Sequence, residues 1–390
     1  MSTVSQSPPL PPVSPDRRIT VDPRIQALKP YHPGKPIEEV KRELGLSGEI
    51  VKLASNENPL GPSPAALAAL AEVLPKMALY PDGACHDLRA AVAERLGITG
   101  DQLVFGNGSD EIIHLLGLTF LQPGDEIVVG DPTFVLYEAA ATLAGATTVK
   151  VPLTRPGFVH DTSAMAKAFT ERTRLVFIAN PHNPTGTIVG KQEIDALLEH
   201  LPPRAILVLD EAYGEFVYDD VPYFPQALDY IRKGAPVIGL RTFSKMYGLA
   251  GLRVGYGVGS PEIIALLNQP RSPFNTNLAA QIAATAAVND DAFVARTKKT
   301  NANGLKMLGD TFDRLGLTFI PSHANFVMVD VQRPCRAVFD ALLRQGVIVR
   351  TGDVFGLPTF LRVTIGTPEQ NAIFIAALEA VLPTIAPVID

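Results

Sequence analysis

The stretch VIGLRTFSKMYGLAGLRVGYGV, Val237–Val258, decides how this chain reads. Two short apolar runs, Val237–Leu240 and Val254–Val258, enclose a polar, glycine-punctuated segment carrying a single lysine, Lys245. Apolar runs this short, bounded by turn formers, read as strands rather than helices. Working outward, similar runs recur at Leu103–Phe105, Glu126–Val129, Thr147–Val151, Leu175–Ile178 and Ala205–Leu209, with amphipathic stretches between them. That alternation predicts an α/β fold with a mostly parallel central sheet flanked by helices. Ligands of such sheets sit beyond the carboxyl ends of the strands, so polar residues just after each run are the candidates for a site.

Past Ser260 the character changes. Two long helical stretches, Asn277–Asn289 and Asp291–Leu315, lead into strand-like runs at Leu317–Ile320, Phe326–Val331, Val347–Val349 and Phe360–Val363. A last helix opens at Thr367-Pro-Glu-Gln, a capping box with proline in the first helical position. This predicts a smaller C-terminal α/β domain. Upstream, Ile37–Leu46 reads as a charged helix, and Ser63-Pro64 opens another. Residues 1–30 begin with a Pro- and Ser-rich tract and are expected to form a flexible arm. The expected division is an arm at 1–30, an N-terminal segment at 31–80, a large domain at 81–285 and a small domain at 286–390.

Bulk properties narrow the function. At 390 residues the chain is too long for one simple core, and 46% hydrophobic with 19% charged residues is a folded composition. A net charge of −6 offers no basic field to nucleic acid or anionic lipid. The two cysteines, Cys85 and Cys335, are too far apart in sequence to suggest a metal motif, and no disulfide framework is expected. The seven histidines have no ligand-like spacing, so no metal is expected either. Without a secretory pattern or an apolar stretch of about 20 residues, the expectation is a cytoplasmic protein.

The residues after the strand-like runs carry chemistry. An amine such as that of Lys245 becomes a nucleophile when desolvation or a nearby cation lowers its pKa. Asp210, at the tip of AILVLD, would need a cationic partner if buried. Asn183 lies on a proline-forced turn, NPHNPTG, directly after Leu175–Ile178. In FGNGSDEII the backbone amides of Gly108, Ser109 and Asp110 form a strand–turn–helix start suited to an anion. The carboxylates of Asp110 and Glu111 should then point away from that anion.

Taken together, LASNENPLGPSP, YPDG, GNGSDEII, NPHNPTG, LDEAY, RTFSKMYGLAGLRVGY and IVRTG with FLRVTIGT closely resemble the fold-type I aminotransferases that use pyridoxal 5′-phosphate (PLP). Within them the chain resembles the histidinol-phosphate aminotransferase family of class II, from about Tyr31 to the C-terminus. The resemblance implies that Lys245 carries PLP as an imine and shuttles the proton, while Asp210 pairs with the pyridine nitrogen. It implies that Tyr213 and Asn183 hold the phenolic oxygen, Phe134 covers the ring face, and Gly108, Ser109, Asp110, Ser244 and Arg253 bind the phosphate. Tyr80 would reach the phosphate of a neighbouring subunit's cofactor, making a homodimer with shared sites in which residues 31–80 contribute dimer contacts. Arg362 would grip the substrate carboxylate, and Tyr31, Asn56, Asn183 and Arg350 would line the substrate end. The implied reaction is ping-pong transamination between a small amino acid or amino-alcohol phosphate and a keto acid. Histidinol phosphate with 2-oxoglutarate is the first pair, with an aromatic aminotransferase and an amino-acid phosphate decarboxylase as alternatives.

Overall fold

The computed structural model describes residues 20–28, 37–45, 50–217 and 221–388. Its first strand, β1 (Val51–Lys52), belongs to the C-terminal half of the molecule. The next seven form one sheet: β2 (Leu103–Gly106), β3 (Glu126–Asp131), β4 (Thr147–Pro152), β5 (Thr173–Ala179), β6 (Ile206–Asp210), β7 (Val237–Thr242) and β8 (Gly255–Val258). Their order is β2-β8-β7-β6-β5-β3-β4. Only β8 runs against its neighbours, so the sheet is mostly parallel as expected.

Apart from the edge strand β4, the sheet is buried on both faces because the sequence supplies two apolar sets at period two. On β6, Leu207 and Leu209 join one core layer, while Ile206 and Val208 join the other. The order reverses direction between β3 and β5, since β4 lies on one side of β3 and β5 on the other. Around that reversal the carboxyl ends of β5, β6 and β7 deliver Asn180, Asp210 and Thr242 to one edge, where a ligand crevice belongs.

The remaining strands are β9 (Phe319–Ile320), β10 (Phe326–Asp330), β11 (Val347–Ile348), β12 (Arg350–Thr351) and β13 (Phe360–Thr364). An antiparallel sheet runs β12-β13-β10-β9, and β11 pairs in parallel with β1. Val51 and Leu53 of the N-terminal segment share the core of this unit with Phe312, Val329 and Phe374. The expected single strand Val347–Val349 is divided. Ile348 ends the pairing with β1, and Arg350 begins pairing with β13, so one extended stretch serves two sheets.

Helix boundaries follow their capping chemistry. Ser63 accepts from the Ala66 N–H at the start of Pro64–Val73, and Thr367 with Gln370 forms the capping box of Pro368–Val381. The helix predicted over 37–46 spans Ile37–Leu44. Tyr31 and residues 1–19 lie outside the described residues.

Candidate active site

Asp210 ends β6 buried, with the Tyr137 hydroxyl donating to its Oδ2 at 2.6 Å and the Ala212 N–H to its Oδ1 at 3.1 Å. Burial pushes its carboxyl up to about 6, against the pull of those two hydrogen bonds. Among the described residues no cationic side chain is paired with it. A buried acid of this kind fits a cationic ligand atom.

Lys245 follows β7 and is half-buried, its Nζ donating to the Ser55 carbonyl at 3.2 Å. Burial lowers the amine to about 8, and the positive charges of Arg362 and Arg253 add to the effect. Its Nζ lies 5.7 Å from the centre of the Tyr213 ring. The Tyr213 hydroxyl accepts from Asn56 Nδ2 at 2.9 Å, and burial raises its phenol above the usual value.

Beside these lies a cradle of backbone and cation. Gly108 has φ +82° and caps the helix Ser109–Phe120, while Arg253, itself left-handed at φ 55°, brings its guanidinium over the turn. A Cβ on Gly108 would stand 2.4 Å from Arg253 Nη2, and one on Gly255 would stand 2.5 Å from the Ser109 amide nitrogen. Gly255 therefore needs glycine for the backbone approach itself, and Gly108 for its left-handed φ. Arg253 Nη1 donates to Ser244 Oγ at 3.4 Å, so Ser109, Ser244 and Arg253 converge around a helix N-terminus. Asp110 differs from expectation: its carboxylate accepts from Arg253 Nη2 at 3.1 Å and so lies against the cradle's cation. Glu111 is turned onto the Asn107 N–H at 2.6 Å and Asn275 at 2.9 Å.

On the opposite wall, β12 and β13 pair Arg350 directly with Arg362, which puts both side chains on one face of the sheet. Arg362 Nη1 donates to Asn183 Oδ1 at 2.6 Å and Nη2 to the Ala54 carbonyl at 3.0 Å. Asn183 thus spends its oxygen on Arg362 and keeps its NH2 as a donor. Asn56 is only 2% exposed and left-handed at φ 57°, so it orients Tyr213 from within the protein. Phe134 meets Tyr137 edge-on at 5.7 Å. Tyr80 does not join the cluster: it is 83% exposed and stacks on Phe274 at 4.9 Å.

Two side chains of the site escaped the sequence reading. Tyr137 lies three residues after Phe134, and Thr364 two residues after Arg362. Helical and strand periodicities put each on the same face as its predicted neighbour. Thr364 Oγ1 both accepts from the Asn56 N–H and donates to Asn56 Oδ1, each at 3.0 Å.

The profile of the family described as "Aminotransferase class I and II" matches residues 48–378. A histidinol-phosphate aminotransferase of Moorella thermoacetica is 56% identical over 359 residues, covering 92% of each chain. The chain belongs to the histidinol-phosphate aminotransferase family. A Brevibacillus brevis member of this family is 47% identical, covering 92% of this chain and 97% of its own. Among solved structures, the histidinol-phosphate aminotransferase of Sinorhizobium meliloti in complex with PLP superposes with a TM-score of 0.85 at 29% identity, over 95% of this chain and 99% of its own. The aspartate aminotransferase of Thermus thermophilus with maleate gives 0.77 at 25%, over 93% and 98%. This aminotransferase offers what such a cofactor needs: a buried acid for a ring nitrogen, an amine lowered toward neutrality, and an anion cradle that a Cβ would fill.

Proposed function

We propose that this aminotransferase exchanges the amino group of L-histidinol phosphate with 2-oxoglutarate, giving imidazole acetol phosphate and L-glutamate, with PLP held on Lys245. The observation that carries the substrate reading is the pairing of Arg350 with Arg362, two guanidinium groups on one sheet face. Together they suit the phosphate of histidinol phosphate in one half-reaction and the carboxylates of 2-oxoglutarate in the other, since a guanidinium fork makes bidentate contacts with either anion. The 56% identity to a histidinol-phosphate aminotransferase supports the same substrate.

PLP, when bound, supplies an electron sink for the carbon that loses its proton. Lys245 removes that proton and returns it, a role for which its lowered pKa prepares it. Asp210 holds the positive ring nitrogen, and Asn183 with Tyr213 holds the phenolic oxygen, Tyr213 being oriented by Asn56. Gly108, Ser109, Asp110, Ser244 and Arg253 hold the cofactor phosphate, and Phe134 covers the ring. Tyr80, exposed in a single chain, serves the site of a second copy, which makes the working unit a homodimer. The reading includes a cytoplasmic location, a large cofactor-binding domain at 81–285 and a small domain at 286–390.

The test is a half-reaction on the purified, PLP-loaded enzyme, following the visible absorbance of the bound cofactor. Histidinol phosphate, phenylalanine, tyrosine and glutamate are added separately. Rapid loss of absorbance with histidinol phosphate and slow loss with the aromatic amino acids is the expected result. Comparable rates for histidinol phosphate and the aromatic amino acids would replace the reading with a broad aromatic aminotransferase, and carbon dioxide released from an amino acid while the aldehyde form of the cofactor persists would replace it with a decarboxylase.

A further inference from the structure

Tyr137 lies in the helix Val135–Ala144 and is fully buried. Its ring stacks on Phe177 of β5 at 4.4 Å and 16°, and Phe134 meets it edge-on at 82°. These two aromatic contacts fix the direction of its hydroxyl, which ends 2.6 Å from Asp210 Oδ2. A buried tyrosine must find an acceptor, and core packing alone would be served by any backbone carbonyl. Here the acceptor is the one carboxylate at the tip of β6.

We infer that Tyr137 is a positioning residue for the cofactor nitrogen, holding Asp210 ionised and aimed so that the proton of the pair stays on the ring. The inference rests on the reading that Asp210 pairs with that nitrogen. A hydrogen bond to a carboxylate favours the ionised form, and a less basic carboxylate leaves the shared proton on its partner.

The charged and titratable groups facing Asp210 come from three elements. They are Tyr137 on its helix, Asp110 at the start of Ser109–Phe120, and Glu211 with Tyr213 just past β6. Asp110 and Glu211 are like charges that favour the protonated acid, as burial does. Tyr137 is the strongest influence on the other side, ahead of the Ala212 N–H. Removing its hydroxyl should therefore raise the basicity of Asp210 and nothing else in the site.

The experiment uses cofactor-free chain and 4′-deoxypyridoxine 5′-phosphate, a probe that keeps the ring nitrogen and the phosphate but has no aldehyde to react with Lys245. Its affinity is measured across pH for the wild type, Tyr137→Phe, Asp210→Asn and the double variant, with thermal unfolding of each recorded alongside. The probe's own phosphate titration is common to all four and cancels in their ratios. In Tyr137→Phe the acid limb of binding is expected to move up by about one to two pH units. Affinity at alkaline pH should stay within a few-fold of wild type, and adding Tyr137→Phe to Asp210→Asn should change nothing further. A loss of the same factor at every pH, or the same loss in the Asp210→Asn background, would reduce Tyr137 to core packing and overturn the inference. Wild-type affinity in Asp210→Asn would instead overturn the pairing of Asp210 with the nitrogen, a separate failure.

Discussion

Lys245 and Asp210 show how one physical effect prepares two opposite groups. Burial disfavours charge on both, lowering the amine to about 8 and raising the carboxyl to about 6. At neutral pH the acid is still mostly ionised, while roughly a tenth of the amine is neutral, more than about a hundredfold above an ordinary lysine. The sign of the pH dependence follows. Below about 8 the neutral fraction of Lys245 rises about tenfold per pH unit, and above that it saturates. The rate constant for covalent PLP attachment to cofactor-free chain should therefore climb and bend near 8. Stopped-flow absorbance at several pH values checks this, and a rate still climbing toward the ordinary lysine value of about 10.4 would contradict it. Arg362 is the largest charged contributor to the lowering, so Arg362→Met should move the bend upward.

At the scale of elements, the anion cradle is made by backbone approach between β8 and the turn after β2. Gly255 of β8 has the Ser109 nitrogen, the Gly108 carbonyl carbon and the Arg241 oxygen within 2.5, 2.8 and 2.9 Å of where a Cβ would stand. All three are backbone atoms and none can swing aside. Gly255→Ala should push strand and turn apart, cost roughly 1–3 kcal/mol of stability and weaken PLP binding about tenfold or more. A Cβ on Gly251 meets nothing within 4 Å, so Gly251→Ala is the control that should change neither melting temperature nor PLP titration. This level was only partly legible in the sequence. The inner strands of the main sheet announce themselves through short apolar runs, because a strand buried on both faces is largely apolar, whereas the edge strand β4 mixes Thr and Lys with its valines. The split of 347–351 between two sheets does not, because period-two patterning says which residues share a face but not which strand they face. The site shows the same limit. Lys245, Asp210 and Arg253 stand out as charges beside apolar runs, whereas Tyr137 and Thr364 look like core residues. Only the register of β13 and the packing of Tyr137 on Phe177 turn their hydroxyls toward Asn56 and Asp210.

At the scale of the whole molecule, the proposed homodimer needs a surface on which two copies meet, and one exposed stretch suits it. Leu74, Met77, Leu79 and Tyr80 are exposed close together in sequence, and the exposed ring of Phe274 stacks on Tyr80. Apolar groups gathered this way suit the contact surface of the proposed homodimer, and in homo-oligomers a two-fold axis is the commonest way to cover one. If Tyr80 acts on the partner's site, defects in Tyr80 and Lys245 should complement one another. Tyr80→Ala and Lys245→Ala homodimers should each be severely impaired. A hybrid of the two, isolated through different affinity tags, concentrates both defects in one site and leaves the other intact. That hybrid should recover about half the activity of the wild-type dimer. If Tyr80 serves its own chain, each site of the hybrid keeps one defect and no activity returns. A Tyr80→Ala homodimer with wild-type turnover would remove the residue from the site altogether.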